Sequence, residues 1–473
     1  MNDKRYGGFL RRLCGVMLLA GSVVVMSLGC SGGGEEQAPR SATNGGAKIG
    51  VTTNNGAEEN DEKRLAEQKI VAGYFNQNHS NALLKFSTWQ YSPETFLAKF
   101  RSKTATDVVG LFATEGTVLI ERKMALDLTD MVKSWEHFDS INKEVLEPFS
   151  RDGRIYGLPV GGIGGGYVMT LFYNKKLFKA SKIVDDKGEP KPPQTWEEFV
   201  EMALKLTDRE KGVAGFGILG DDAAGWHLLN WVWQSGGDFE RRADGKWKAV
   251  FNEPQAVVAL QFIKDLKWKH DVLQHDLLAT NDDLFELFAA EKIAMAIFTP
   301  EYLLYIVDKL GYPIENIGIT LLPAGPAGRV NQMGGGYMII PSYTPPERAR
   351  LALDAMLQEY DPALIEKRLA LQSRQKRLVG LPALPVFHGA YQDGIQALLD
   401  KYRNVPAYPG LMEEAVKYVR AEPPFYSNQL YHEILSPLVQ EVLTNHDANP
   451  KALLDKGAKR FQERFLDKMN EGE

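Results

Sequence analysis

Cysteine is almost absent from the sequence. Only Cys14 and Cys30 occur among 473 residues, and both lie near the start of the chain. If the leader described below is removed and Cys30 is modified, the remaining chain carries no free thiol. This excludes a structural disulfide, a thiol nucleophile and a cysteine metal site from the folded part.

Long apolar runs and a strong charge of either sign are also missing beyond the leader. No later segment offers eighteen uninterrupted apolar residues, so we expect no membrane-spanning helix there. The formal net charge of -6 argues against nucleic acid as a partner. Apolar residues make up 44% and charged residues 25% of the chain, which is typical of a globular protein. The length favours two domains.

Sequence signatures of catalysis are scarce. The chain has no Walker motif, no GxSxG elbow and no HExxH pair of histidines. We therefore predict no catalytic residue, no metal site and no cofactor, and we expect the protein not to be an enzyme. A secreted glycoside hydrolase stays open as an alternative, because two carboxylates that are distant in sequence can meet in the fold.

The N-terminus has the pattern of a processing segment. Arg11 and Arg12 belong to a basic start, residues 13–28 form an apolar core, and Cys30 precedes the polar stretch SGGGEEQAPRSATNGGA. This resembles a bacterial lipoprotein signal, which implies that Cys30 is lipidated. Residues 1–29 are then the signal peptide and residues 30–46 a flexible leader. An ordinary secretory signal is the alternative, since Ser27 and Leu28 are exchanged relative to the usual pattern.

Strand and helix patterns alternate along the rest of the chain. LLKFSTW from Leu83 and DVVGLF from Asp107 are typical of strands, and helical periodicity follows each of them. PPQTWEEFVEMALKL predicts a helix that begins at Thr195, with Glu198 as its capping partner. This alternation predicts an α/β fold.

Five glycines occur within residues 161–166, in YGLPVGGIGGGYVMTLFY, and the group GGGY recurs at 334–337. A phosphate-binding loop needs a helix directly after its glycines. Here β-branched and aromatic residues follow Gly166, which predicts a strand. The glycines are therefore not predicted to bind a nucleotide.

Several phrases in fixed order resemble one family, the extracellular solute-binding proteins of ABC importers, family 1, whose type member is the maltose-binding protein. The resemblance runs from about residue 47 to the end. It is carried by DGRIYGLPVGGIGGGYVMTLFYNKKLF, PPQTWEEFVEMALKL, FNEPQAVVALQFIKDL, LFAAEKIAMAIFTP and LLPAGPAGRVNQMGGGYMIIPS.

The resemblance implies a two-lobed periplasmic-binding-protein fold of the type II kind, with the ligand in the cleft between the lobes. The N-lobe would comprise residues 47–161 and 328–379, and the C-lobe residues 162–327 and 380–473. The chain would cross between lobes at 160–166, 322–328 and 379–385. Glycine absorbs changes in φ and ψ at low steric cost. The hinge would thus contain Gly161, Gly162, Gly164 and Gly165.

A sugar cleft needs aromatic rings beside carboxylates, amides and backbone donors. The candidate ligand-binding residues either follow predicted strands or match positions at which the family holds its ligand. Each of these side chains could instead pack in a core, and Glu115 could instead begin a helix. The predicted ligand-binding residues are Trp89, Gln90, Tyr91, Glu115, Trp226, Glu301, Tyr302, Gly334, Gly335, Tyr337 and Tyr426.

The resemblance also implies the partners and the location. The protein would capture a small solute, most readily a sugar or oligosaccharide, and deliver it to an ABC permease driven by a separate ATPase. It would be a monomer, exported and lipid-anchored to the bacterial cell envelope. A polyamine or a glycerophosphodiester stays open as the ligand, since Glu115 and Glu301 leave room for a cation.

Overall fold

The computed structural model of the protein describes residues 48–162 and 164–471. The predicted leader and Cys30 lie outside these residues. Within the described ranges, no helix is both long enough and apolar enough to cross a membrane.

The first part of the chain alternates strands and helices, as predicted. Strands β1 and β2 pair in parallel, with Val51 opposite Leu84. A parallel bridge between Thr53 and Val108 continues this sheet towards the next strand. The elements are β1 (Ile49–Thr53), α1 (Glu62–Asn78), β2 (Ala82–Phe86), α2 (Pro93–Arg101), β3 (Val109–Phe112), α3 (Gly116–Glu121), α4 (Thr129–Lys133), α5 (Lys143–Leu146), β4 (Ser150–Arg151), β5 (Arg154–Ile155) and β6 (Gly157–Pro159).

The second part contains an antiparallel sheet in the order β11-β8-β12. Residues 214–217 extend it, because Gly217 forms a parallel bridge with Ala296 and Phe216 forms one with Leu273. The elements are β7 (Tyr167–Val168), β8 (Thr170–Asn174), α6 (Lys175–Ala180), α7 (Trp196–Leu206), α8 (Ala224–Gln234), β9 (Glu240–Ala243), β10 (Lys246–Ala249), α9 (Pro254–Trp268), α10 (Asn281–Ala289), β11 (Met295–Phe298) and β12 (Ile317–Leu321).

The third part returns to both earlier sheets. Strand β14 lies between β3 and β6, and strand β13 lies between β15 and β7. Short π-helical segments cover Leu304–Lys309, Leu430–Leu435 and Gln462–Leu466. The elements are β13 (Asn331–Gly334), β14 (Gly336–Ile339), α11 (Pro346–Leu357), α12 (Pro362–Arg374), α13 (Gly389–Tyr402), α14 (Leu411–Ala415), β15 (Val419–Ala421), α15 (Ser427–Gln429), α16 (Ser436–Thr444), α17 (Pro450–Phe461) and α18 (Asp467–Glu471).

Helix α7 shows why the sequence pattern was informative. The Thr195 side chain accepts a hydrogen bond from the backbone N–H of Glu198, which caps the helix as predicted. The Glu198 carboxylate accepts from the backbone N–H of Gln194 at 2.7 Å, whereas a capping box would use the N–H of the next residue, Thr195. The apolar face buries Trp196 and Phe199. Local capping and periodicity thus fix this helix together.

Buried apolar side chains of the described residues form four groups, two of which are large. The first large group includes Val51, Phe75 and Met356, and the second includes Phe199 and Leu260. A smaller group that contains Tyr337 adjoins the first on β14, and another that contains Phe172 adjoins the second on β8. We call the elements around the first group the first lobe and those around the second group the second lobe. Strands β7, β13 and β15 form a small sheet that joins them.

Residues 380–402 pack in the first lobe, whereas the sequence analysis assigned them to the second. Helix α13 lies against α12, and its Ile395 and Leu399 are buried in the same core as Leu364. The apolar face of α13 needs a matching apolar face, and α12 supplies it. The chain enters the second core after β15, where Phe425 is buried.

A buried ion network ties the first lobe together. Arg368 on α12 donates to Glu67 on α1 at 2.8 Å and to Glu359 at 2.5 Å. Burial raises the pKa of Glu67, but the neighbouring Arg368 outweighs it, so the pKa lies below the ordinary value. Arg368 therefore compensates two carboxylates that are mostly removed from water.

Replacing Arg368 with methionine should lower the free energy of unfolding at pH 7 by about 3 kcal/mol, because Glu359 loses its counter-charge and Glu67 keeps only the more distant ion pair with Arg377, at 3.6 Å. Chemical denaturation measures this. The matched control is Lys401→Met, which removes an exposed ion pair with Glu366 and should change stability little. Equal effects from both variants would contradict a structural role for the network.

Candidate functional site

Tyr91 and Glu115 lie side by side in the first lobe. They follow β2 and β3, whose carboxyl ends meet at the same edge. The Tyr91 hydroxyl donates to Oε2 of Glu115 at 3.1 Å. Burial raises the pKa of Glu115, with further upward contributions from the charges of Glu94 and Glu422. The structure therefore brings these two predicted residues together beside other acidic groups.

An exposed apolar surface lies next to this pair. Phe112 is 44% exposed and Val160 is 38% exposed, although both flank buried strands. Phe112 pairs with Gly336, and a Cβ on Gly336 would lie 3.3 Å from the Val160 side chain. Phe112 and Val160 thus form an apolar platform across a glycine. Such a surface suits the apolar face of a sugar ring.

Glu422, immediately after β15, is the centre of a hydrogen-bonded cluster. Its Oε1 accepts from the Tyr167 hydroxyl at 2.5 Å, from Trp226 Nε1 at 2.8 Å and from Gln332 Nε2 at 2.9 Å. We call these four residues the Glu422 cluster. The donors come from β7, α8 and β13, so three separate segments converge on one carboxylate oxygen.

The second oxygen of Glu422 is buried and accepts no hydrogen bond from any residue in the described part of the chain. Burial raises the pKa of Glu422, while the hydrogen bonds from Tyr167, Trp226 and Gln332 act in the opposite direction. The charge of Glu422 also contributes to raising the pKa of Glu115.

Glycines make room for the Tyr167 ring. Tyr167 lies opposite Gly334 in the pairing of β7 with β13, and a Cβ on Gly334 would lie 2.3 Å from its hydroxyl. A Cβ on Gly335 would lie 2.6 Å from the Cα of Gly166, and both glycines have positive φ. The two GGGY groups therefore pack backbone against backbone, which larger residues would prevent.

Trp226, one of the predicted ligand-binding residues, belongs to this cluster. Its ring makes an edge contact with Tyr167 at a centroid distance of 5.5 Å. It is only partly buried, whereas Trp231 and Trp233 on the same helix are core residues. Its role in binding a ligand stays a prediction.

Two further acidic groups follow neighbouring strands of the second lobe. Asp221 lies after residues 214–217, and Glu301 lies directly after β11, at the same edge of the sheet. Burial raises the pKa of Asp221 to about 6. Glu301 is exposed to water, yet the protein that surrounds it raises its pKa to about 7. This combination is typical of a side chain that projects into a recess.

Two predicted ligand-binding aromatics are core residues instead. Tyr337 is fully buried, stacks on Phe149 and donates to the backbone oxygen of Val145 at 2.7 Å. Tyr302 is 6% exposed and packs against Phe285. On β14 successive side chains alternate between faces, which turns Tyr337 away from the surface that carries Gly336. Neither ring is available to a ligand.

The remaining candidates lie apart from the Glu422 cluster. Trp89 donates to Thr95 at 3.3 Å and is covered by Lys99, whose Nζ lies 5.2 Å from its ring centre. Gln90 donates to the backbone of Gly56 and Thr88. Tyr426 packs on Phe465, with ring centroids 5.3 Å apart. These contacts tie the three side chains to their own lobes.

The sequence analysis missed Glu422, Tyr167, Gln332 and Phe112. Glu422 precedes two prolines in AEPPFY, which reads as a turn and gives no sign of burial. Tyr167 and Gln332 border the glycine groups. The position of Tyr167 and Gln332 near the glycine groups could have indicated them, because a side chain beside two closely packed backbone segments is held in one place.

No group of three or more His, Cys, Asp or Glu side chains among residues 48–162 and 164–471 is arranged to hold a metal ion. The site is therefore built from carboxylates, an amide, two indole or phenol donors and an apolar platform.

Comparisons with known proteins bear on the family and the fold of the chain. A family model described as bacterial extracellular solute-binding protein matches residues 58–359. A probable ABC transporter-binding protein of Deinococcus radiodurans is 26% identical over 295 residues. That match covers 60% of this chain and spans only 64% of the relative's length.

Solved structures show the same fold at low identity. Maltose-bound MalE3 of T. maritima is 21% identical, covers 88% of this chain and 99% of its own, and has a TM-score of 0.62. The GacH receptor of Streptomyces glaucescens, solved unliganded and with acarbose, is 17% identical, covers 88% and 98%, and has a TM-score of 0.65. UgpB from Mycobacterium tuberculosis, in complex with glycerophosphocholine, is 18% identical, covers 89% and 98%, and has a TM-score of 0.64.

The predicted α/β fold and family are thereby confirmed. Because the family model covers more than half of the chain, this protein belongs to the bacterial extracellular solute-binding proteins and has their two-lobed fold.

Proposed function

We propose that this protein is the substrate-binding receptor of an ABC importer, and that it captures a sugar or oligosaccharide between its lobes. One observation carries the proposal: the buried Glu422 carboxylate has an oxygen without a donor in the described residues, and its charge acts on Glu115 of the first lobe, three residues after the exposed Phe112. Carboxylate oxygens accept hydroxyl protons, and the aromatic surface covers the apolar ring face.

Capture would work as a population shift. A ligand that contacts both lobes favours the closed form by its higher affinity for that form. The loaded receptor would dock on a membrane permease that a separate ATPase drives. It would act as a monomer, without a cofactor and without catalysis of its own, in keeping with the named role of the Deinococcus relative.

A glycerophosphodiester is the second candidate ligand, because UgpB, which has the same fold, is in complex with glycerophosphocholine. A polyamine stays a lesser alternative, and a glycoside hydrolase the least supported one. Ligand screening separates these, since only the hydrolase would release products from an oligosaccharide.

Maltotetraose or a similar neutral oligosaccharide should raise the melting temperature of the chain that begins at residue 30, and should change its tryptophan fluorescence. Trp226→Phe should remove most of the fluorescence change, because Trp226 lies in the site. Trp268→Phe is the matched control, since Trp268 lies on α9 and bonds to Val442. A screen in which sugars give no shift and glycerophosphocholine does would reject the saccharide.

We propose that the glycine segment at 161–166 forms a hinge, with Gly161 as its mobile position. A Cβ on Gly161 would meet nothing within 4 Å, and its φ is +81°. By contrast, a Cβ on Gly162 would lie 2.6 Å from Glu359, on Gly164 2.4 Å from Ala383 and on Gly165 2.8 Å from Val145. Those three glycines are needed for close packing.

Gly161→Ala should weaken the ligand-induced decrease in radius of gyration measured by X-ray scattering, because alanine disfavours positive φ. Its melting temperature should fall only slightly, by the equivalent of about 1 kcal/mol. Gly164→Ala, the control, should lower the melting temperature more, since its Cβ overlaps that of Ala383. Unaltered compaction in Gly161→Ala would remove Gly161 from the hinge.

We propose further that the protein is exported and held on the cell envelope by lipid on Cys30, as the leader pattern indicates. Cys30→Ser should move the protein from the membrane fraction, or from the detergent phase in Triton X-114 partitioning, to the soluble fraction. Cys14→Ser should leave it in place, because Cys14 lies inside the signal peptide. Retention of Cys30→Ser in the membrane fraction would count against lipidation.

A further inference from the structure

Oε2 of Glu422, the oxygen that accepts no hydrogen bond from the described residues, indicates a specific chemical group on the ligand. Three donors from the protein are directed at Oε1, at distances of 2.5–2.9 Å. Such donors stabilise the ionised carboxylate. Oε2 is buried and receives no donor from the described residues. Burial raises the pKa of Glu422, so a ligand N–H that donates to Oε2 would supply the donor that the ionised carboxylate lacks.

No lysine or arginine of the described chain pairs with Glu422 or Glu115. Neither residue forms an ion pair with a lysine or arginine within residues 48–162 and 164–471. Arg420, two positions before Glu422, is directed elsewhere: it pairs with Asp238 at 2.8 Å and lies over the Trp233 ring. The charge of His432 acts weakly on Glu422, but its ring nitrogen bonds to the backbone of Asp222.

We propose that the ligand is a saccharide that carries a protonated amine, whose N–H donates to Oε2 of Glu422. The inference rests on the proposed function and names the ligand class of the same site. A neutral hydroxyl would fill the hydrogen bond but leave two neighbouring carboxylates without a counter-charge. A quaternary ammonium has no N–H for Oε2.

The test compares two oligosaccharides that differ only in the amine. Tetra-glucosamine has free amines, and tetra-N-acetylglucosamine has the same length and linkage with neutral amides. Isothermal titration at pH 6 should show tetra-glucosamine binding about tenfold or more tightly, the equivalent of one charged hydrogen bond. Glu422→Gln, which keeps the shape of the side chain, should abolish this preference.

Two further variants make the result specific to the site. Glu413→Gln changes the net charge equally at an exposed position on α14, and should keep the preference for the amine. Glu115→Gln should reduce the preference partly, and it covers the case in which Glu422→Gln does not fold. Circular dichroism and the melting temperature without ligand identify such a case.

The outcomes separate this inference from the proposed function. Equal binding of both oligosaccharides overturns the amine and leaves a sugar receptor. A preference for tetra-glucosamine that survives in Glu422→Gln overturns Glu422 as the acceptor of the amine. Binding of spermidine but of neither oligosaccharide overturns the saccharide, and with it both this inference and the proposed sugar receptor. Absence of binding by all three probes overturns both. Preference for tetra-glucosamine that depends on Glu422 supports both.

Discussion

A buried carboxylate that accepts hydrogen bonds on only one of its oxygens constrains the positions of the segments that supply the donors. Glu422 holds Tyr167, Trp226 and Gln332 on Oε1, and these belong to three segments that are distant in sequence. Removing any one donor would leave the Glu422 carboxylate with fewer hydrogen bonds in a poorly solvated site, which would destabilise its ionised form. The small sheet of β7, β13 and β15, which joins the lobes, is therefore also the frame that positions the recognition group. Fold and site depend on the same contacts.

The glycines serve this arrangement through steric fit. Gly166 and Gly335 touch backbone to backbone, and Gly334 leaves room for the Tyr167 ring. The repeat of GGGY in the sequence has a physical cause, since each copy is the surface against which the other packs. A glycine-rich segment in an α/β protein thus does not imply phosphate binding. It can equally mark the place where the backbones of two neighbouring strands come closer than a Cβ permits.

Fold-level features were predictable from the sequence because they depend on local patterns. A few neighbouring residues are enough to predict the helix that is capped by Thr195 and the strand that ends at Phe112. The same holds for the short sequences that carry the family resemblance. The site was only partly predictable. Glu115, Tyr91 and Trp226 could be found as polar or aromatic residues near strand or helix ends. Glu422 could not, because its burial arises from three distant segments, and Tyr337 was misjudged because strand alternation decides which face a ring occupies. The position of α13 likewise depends on which apolar face it meets.

The electrostatic effect of Glu422 on Glu115 also bears on how the lobes would close in the proposed receptor. Glu115 belongs to the first lobe, and Glu422 is held by donors of β7, α8 and β13. Like charges brought together in a poorly solvated cleft repel, so an empty cleft that closes must protonate one carboxylate or tolerate that repulsion. A ligand that donates to both carboxylates removes the repulsion and favours the closed form. Because a cation relieves it more completely than a neutral donor does, the same pair of residues would set both the selectivity of capture and the coupling of capture to closure.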